Sequence, residues 1–224
     1  TGSGIAPCAR DKYGRVGELF KSVDTTLFNN HNKNIVMSTK ELYGNLLCEG
    51  AQGTWLDINY GNYPYVTSSL TLPYSACSLG FTPSKIKNIY GASKIYDTRV
   101  GIDPSFMIQE DTDILNKIAE EGSEFGSTTG RKRHVQWLNI DKLIDSIRIT
   151  GCTYLFISKI DILIAINHYK LFYNKQVHNF MTMNAMIHFI NTTLFETCSD
   201  LKEIHYSNNP KTIKGSIIYK NNNI

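Results

Sequence analysis

Apolar residues recur at helical spacing at Ile140, Leu143, Ile144 and Ile147, which predicts an amphipathic helix over IDKLIDSIRIT, stopped by Gly151. A continuous apolar run, Thr153 to Ile157, follows and reads as a buried strand, with Ser158-Lys159-Ile160-Asp161 at its C-terminal end. Helix, short turn and buried strand in that order predict an α/β fold, with a mostly parallel central sheet flanked by helices. Met183, Met186, Ile187 and Ile190 share a helical face, so a second helix is expected from Met183 to Leu194 with its methionines in the core.

Elsewhere the pattern is weaker. TGSGIAPCARDKYGR reads as a glycine-rich loop leading into a short helix. Leu46 to Cys48 predicts a strand feeding a tight turn at Glu49-Gly50-Ala51-Gln52-Gly53. YGNYPYVTSSLTLPYSACSLGFTP reads as an extended loop facing a ligand, Lys85 to Ile95 as helix, and the tail YKNNNI as frayed. There is no internal repeat, and a chain of 224 residues is most simply one domain, 1–224.

Composition narrows the function classes. Hydrophobic residues at 42% and charged residues at 19% are ordinary for a globular protein. A net charge of +3 suits a protein that handles anionic small molecules and is too weak to argue for nucleic acid. No apolar run is long enough for a bilayer, the opening residues show no signal-peptide pattern, and a cytoplasmic protein is expected. The five cysteines (Cys8, Cys48, Cys77, Cys152, Cys198) form no C-x-x-C pair and are expected to be free, mostly buried thiols. The histidines are dispersed with no H-E-x-x-H, so no protein-bound transition metal is expected. The chain opens on Thr1-Gly2-Ser3-Gly4 without an initiator methionine, as a sequence starting inside a longer one would.

Three segments carry candidate chemistry. In STTGRKRH, Arg131 and Arg133 lie two residues apart in a glycine-containing loop, where forked guanidinium groups suit carboxylates or phosphates; a solvated basic turn has the same composition. In SKID, an aspartate at the end of a buried strand suits the ring N–H and exocyclic amine of guanine, which adenine does not offer; a surface Lys-Asp pair looks the same. In EGAQGTWLDINYGNYPYVTSS, glycines around Ala51-Gln52 allow close backbone approach to a ligand, and the Gln52 amide both donates and accepts; the alternative is a glycine-rich turn.

Taken whole, EGAQGTWLDINYGNYPYVTSS resembles the signature of the adenylosuccinate synthetase family almost residue for residue. TGSGIAP with DKYGR resembles its TGRGIGP…DK…R segment. YDTRVG, GSEFGSTTGRKR and the strand ending in SKID follow in the family's order, and EIHYSNNP resembles its IISTGP. The matches run from Thr1 to about Pro210, with shortened connections between Arg15 and Glu49 and between Asp161 and Ser207.

The resemblance implies a P-loop-NTPase-like nucleotide site at strand C-termini. It implies a ligase that uses GTP and Mg2+ to join L-aspartate to IMP. Thr1, Gln52, Thr67 and Arg131 would contact IMP, and Arg15 would reach the IMP of the other subunit of a homodimer. Ser127, Thr128, Thr129, Gly130, Arg131, Lys132 and Arg133 would form the loop closing on aspartate, with Arg133 also touching GTP. Lys159, Ile160 and Asp161 would hold guanine, with Ser207, Asn208 and Asn209 on its other side. Gln52 would stabilise the developing 6-oxyanion. Ser3, Ala6, Asn208-Asn209 and Lys211 depart from the family's usual residues. The family's phosphate loop, catalytic aspartate and catalytic histidine precede the position matched by Thr1, and residues 1–224 contain no G-x-x-x-x-G-K-[ST]. The protein ligands of Mg2+ are expected there too. The chain then reads either as a piece of a complete enzyme or as a degenerate relative. Should catalytic groups lie within it, Asp11, Asp57 and His134 are the first to consider.

Overall fold

The structure, a computed structural model, describes residues 4–18, 44–106, 111–126, 130–209 and 217–221. Its first sheet is built from β1 (Tyr90–Lys94), β4 (Tyr154–Ser158), β7 (Glu203–Tyr206) and β8 (Ile217–Lys220), in the order β1-β4-β7-β8. The first three run parallel and β8 closes the edge antiparallel. Its second sheet is mixed, in the order β2 (Tyr96–Arg99), β3 (His134–Asn139), β5 (Tyr169–Tyr173) and β6 (Gln176–Phe180). A single residue, Ile95, separates β1 from β2, so the chain passes from one sheet to the other at a fully buried side chain.

The helices are α1 (Ile5–Tyr13), α2 (Thr112–Glu121), α3 (Ile140–Thr150), α4 (Ile160–Ile166) and α5 (Met183–Thr197). The expected helix over Ile140–Thr150 forms with its own punctuation. Asn139 caps it by accepting the Lys142 N–H at 3.0 Å, and Gly151 ends it in the left-handed region at φ 66°. Ile140, Ile144 and Ile147 are its buried face. α5 starts at Thr182, whose hydroxyl accepts the Ala185 N–H, and buries Met183, Met186, Ile187, Ile190 and Leu194 as the periodicity requires. These residues meet Leu155, Ile157, Ile204 and Tyr206 in one core. The opposite face of β1, β4 and β7 carries a stacked aromatic row, Tyr90 on Tyr154 at 5.1 Å and Phe156 on His205 at 4.5 Å.

Four expectations need correction. Lys85 to Ile95 is not a helix: a single turn over Pro83–Lys85 leads into β1, which pairs along its length with β4. Gly91, its second residue, packs against Cys152, where an added Cβ would meet Sγ at 2.8 Å. Leu46 to Cys48 is not a strand, and Leu46 and Leu47 are exposed with no described strand to pair with. The tail is not frayed at Tyr219-Lys220-Asn221: the first two lie in β8, and Asn221 is buried, donating Nδ2 to the Leu201 carbonyl at 3.0 Å. All five thiols are free, but Cys8 and Cys48 are exposed and only Cys152 and Cys198 are buried.

Candidate functional site

Because β1, β4 and β7 are parallel, their C-terminal ends share one edge of the sheet. Lys94 ends β1, Ser158 ends β4 and leads into Lys159, and Ser207 follows β7. Register brings them close: Lys94 pairs with Ser158, the Ile95 N–H donates to the Ser158 carbonyl at 2.9 Å, and the Ser207 N–H donates to Ile157 at 2.9 Å. Lys159 takes a left-handed conformation, φ 69°, uncommon for a side-chain-bearing residue, which turns the chain sharply into α4. Asp161 is half-buried in the first turn of α4, while Ile160 is buried beneath it. Ser207, Asn208 and Asn209 form a tight turn in which the Ser207 hydroxyl donates to the Asn209 carbonyl at 3.0 Å. Ligands in open α/β sheets bind outside strand C-termini, and the SKID segment and the Ser207 turn are brought together there.

Over this edge lies a hairpin. The Arg133 N–H donates to the Glu124 carbonyl at 2.9 Å, Gly126 donates to Arg131, and Phe125 bridges Lys132. The Gly130 N–H donates to the Gly126 carbonyl at 2.8 Å, with Gly130 at φ 63°, a conformation glycine adopts without strain. Arg131 and Lys132 are exposed, with Lys132 Nζ donating to Asn116 Oδ1 at 3.2 Å. Arg133 is half-buried and donates Nη1 to Glu124 Oε2 at 3.1 Å. Arg133 is thus tied to a carboxylate of its own hairpin. Thr1, Ser127, Thr128 and Thr129 lie outside the described residues.

Sequence reasoning missed the group at the centre of this edge. Glu124 is 2% exposed. Its Oε1 accepts from Tyr96 Oη at 2.7 Å, and its Oε2 accepts from Lys94 Nζ at 2.6 Å as well as from Arg133. Lys159 Nζ donates to the Gly122 carbonyl at 2.8 Å, two residues away. Burial would raise the Glu124 carboxyl, but the bonds from Lys94 and Tyr96 and the charges of Lys94 and Lys159 hold it below its ordinary value. Burial pushes the Lys94 ammonium down against the pull of Glu124, and the neighbouring charges of Arg133 and Lys159 push it the same way. Tyr96 is raised well above its ordinary value by burial and by Glu124. One acidic residue within GSEFGSTTGRKR was the available signal.

The EGAQG loop is a separate construction. Gln52 is exposed in a left-handed conformation, φ 62°, an uncommon backbone for glutamine that singles it out. Beyond it the chain folds around Asp57, which is buried and accepts the Asn59 N–H at 2.9 Å and the Thr71 N–H at 2.6 Å. Burial would raise this carboxyl, yet main-chain bonds from Thr71, Asn59, Tyr60 and Leu72 leave it below its ordinary value. Half-buried Thr67 donates its N–H to Leu56 at 2.8 Å. The YDTRVG segment braces the loop from outside: Arg99 donates to the Tyr65 carbonyl and pairs with Asp103 at 3.4 Å, and Asp103 accepts from Asn62 at 2.8 Å. Arg15 is exposed just past α1, also left-handed at φ 59°. No described hydrogen bond joins Gln52 or Arg15 to the arginine hairpin. Of the three alternative acid–base residues, Asp57 is committed to main-chain donors, Asp11 accepts from Arg10 Nε at 2.9 Å, and His134 is exposed at the start of β3. Among the described residues, no three His, Cys, Asp or Glu side chains gather as a metal site. No described helix is long and apolar enough to cross a membrane.

A family model described as adenylosuccinate synthetase matches residues 29–188. The chain belongs to that family. The adenylosuccinate synthetase of Flavobacterium psychrophilum is 47% identical over 119 residues, covering 53% of this chain and 28% of the relative. That of Helicobacter hepaticus is 36% identical over 207 residues, covering 73% of this chain and 50% of the relative. A solved structure of fully ligated adenylosuccinate synthetase from Plasmodium falciparum superposes with a TM-score of 0.52 at 37% identity, over 55% of this chain and 29% of that one. The chain thus spans half the length of these relatives or less. The expected α/β fold, with a mostly parallel sheet flanked by helices, is the fold found, with the mixed second sheet added to it.

Proposed function

We propose that this chain supplies the IMP, L-aspartate and guanine-nucleotide recognition surfaces of an adenylosuccinate-forming ligase. In that reaction the γ-phosphate of GTP passes to the 6-oxygen of IMP, leaving GDP, and the aspartate amine then displaces phosphate. The observation that carries the reading is the shared strand edge, where Lys159 and Asp161 stand beside the Ser207 turn with the Arg133 hairpin above them. Asp161 would accept two hydrogen bonds from guanine, Arg131 and Arg133 would hold aspartate carboxylates, and Gln52 would donate to the 6-oxyanion of IMP with Thr67 and Thr1 alongside. Arg15 would reach the IMP of a second subunit; its exposure past α1, a helix with no buried residue, supports a role across a homodimer interface.

Mg2+ fits the described residues poorly, since the buried carboxylate at this edge, Glu124, is taken up by Lys94, Tyr96 and Arg133. Magnesium usually arrives on the substrate's own phosphates. The departures at Ser3, Asn208-Asn209 and Lys211 from the family's usual residues favour a second reading, a homologue that binds IMP and GTP without turnover.

Both readings are tested by calorimetric titration of the purified chain with IMP, GDP and ADP. IMP and GDP should bind, and ADP should bind about a hundredfold more weakly or not at all, because a half-buried aspartate is left unpaired by adenine. Incubation with IMP, GTP, Mg2+ and aspartate, followed by chromatography, then separates ligase from binder. A chain that binds neither IMP nor GDP would contradict both.

A further inference from the structure

Glu124 holds Arg133 twice, by its carbonyl on the Arg133 N–H at 2.9 Å and by its carboxylate on Nη1 at 3.1 Å. It is itself fixed by Tyr96 at 2.7 Å and Lys94 at 2.6 Å, both from the β1–β2 segment. The turn it belongs to has no slack. A Cβ at Gly122 would collide with the Tyr96 hydroxyl and meet the Ile118 carbonyl at 2.9 Å, so the turn is held between α2 and β2. From that turn the Gly122 carbonyl accepts Lys159 Nζ at 2.8 Å. One three-residue turn thus orients a cation from each of two distant motifs, the arginine hairpin and SKID.

We propose that Glu124 is a positioning residue: it aims Arg133 and, through the Gly122–Glu124 turn, links the arginine hairpin to Lys159. This rests on reading Arg133 and Lys159 as ligand-facing. A buried carboxylate kept for stability alone is a poor device, since a buried ion pair often does no better than apolar packing of the same volume. Aiming a guanidinium is what such a group does well. The Nη1 bond restrains the fork and Arg133 Nε is buried, so the donors left to reach a ligand are those of the two Nη atoms. Lys94, Arg133 and Lys159 together outweigh the single negative charge of Glu124, so the cluster retains positive charge at the strand edge for an incoming anion. Ligands that engage Arg133 and Lys159 press on the same turn, and any coupling between them is reciprocal.

The test begins without ligand. Side-chain 15N NMR of the arginine Nη–H groups, with the Arg133 signal identified by its loss in Arg133→Lys, should show Arg133 exchanging more slowly than the exposed arginines. Glu124→Gln should speed that exchange to the exposed level, and Tyr96→Phe, which keeps the ring, should speed it part of the way. Calorimetry should then show L-aspartate about tenfold weaker in Glu124→Gln, the loss of one charge-assisted hydrogen bond, with IMP affinity unchanged. If Glu124→Gln does not fold, Tyr96→Phe carries both readouts. An Arg133 signal indifferent to the surviving variant overturns the proposal. Wild-type chain that binds neither GDP nor aspartate sinks the proposed function instead, and the NMR arm still decides the role of Glu124.

Discussion

Asp57 and Glu124 are both buried carboxylates, and they are satisfied in opposite ways. Asp57 takes its hydrogen bonds mainly from main-chain N–H groups of its own loop, whereas Glu124 takes Lys94 and Tyr96 from the β1–β2 segment and Arg133 from the other arm of its hairpin. The first arrangement gathers a long irregular segment into one shape and brings no cation with it. The second assembles more positive charge than it neutralises, at the edge where ligands of α/β sheets bind. The difference separates a carboxylate that builds a scaffold from one that prepares a site.

The largest effect expected is on the scaffold. Asp57→Ala removes the acceptor of the Asn59 and Thr71 N–H groups and empties a buried site, so urea unfolding should show a loss of roughly 2–4 kcal/mol. Asp161→Ala, at the first turn of α4, should cost no more than about 1 kcal/mol while abolishing guanine preference. Equal losses of stability in the two variants would erase the distinction.

Next comes the hairpin. Arg133→Leu should weaken L-aspartate by roughly 30-fold or more, since truncating one partner of a charged hydrogen-bonded pair costs about 2–5 kcal/mol, with IMP affinity unchanged. Calorimetric titrations of both ligands decide it, and an unchanged aspartate affinity would show that the hairpin serves another purpose.

Part of the fold that frames this comparison was legible in the sequence, but the comparison itself was not. The helix and strand from Ile140 to Ser158 were readable because apolar spacing and the Gly151 stop act locally. The strand end at SKID followed from them. β1 was not readable, because Tyr90–Lys94 becomes a strand only by pairing with β4, sixty-odd residues on. The same holds for β8, where a polar tail is ordered by β7. Arg131 and Arg133 were legible as cations, but not that one would be held inward, since its partner is identified only once the hairpin folds. Glu124 was hidden for that reason: its donors come from Lys94, Tyr96 and Arg133, and no local period relates them.

A smaller effect sharpens the contrast through pH. Asp57 and Glu124 both have depressed carboxyls, so their stabilisation is present above the unfolded value and is lost as pH falls. Half-buried Asp97 runs the other way. Burial pushes it up to about 7 from 3.8, despite the Asn139 N–H at 3.1 Å and the charge of Lys142. Its contribution is fully present below the unfolded value and is lost as pH rises to about 7. Asp97→Asn should therefore raise stability at pH 8 by about 1–2 kcal/mol and flatten the decline between pH 4 and 7. Thermal melts across that range check it, and an unchanged slope would show that Asp97 is ionised throughout.

The central claim is that the strand edge reads guanine through Asp161. Calorimetry of GDP, XDP and ADP binding to wild-type chain and to Asp161→Asn tests it directly. An aspartate accepts from the ring N–H and the exocyclic amine of guanine, whereas an asparagine amide can donate to the 2-oxo group of xanthine. Wild type should prefer GDP over XDP and ADP, and Asp161→Asn should reverse the order of GDP and XDP with IMP binding intact. Equal affinity for GDP and ADP in the wild type, or no change of order in the variant, would contradict the account.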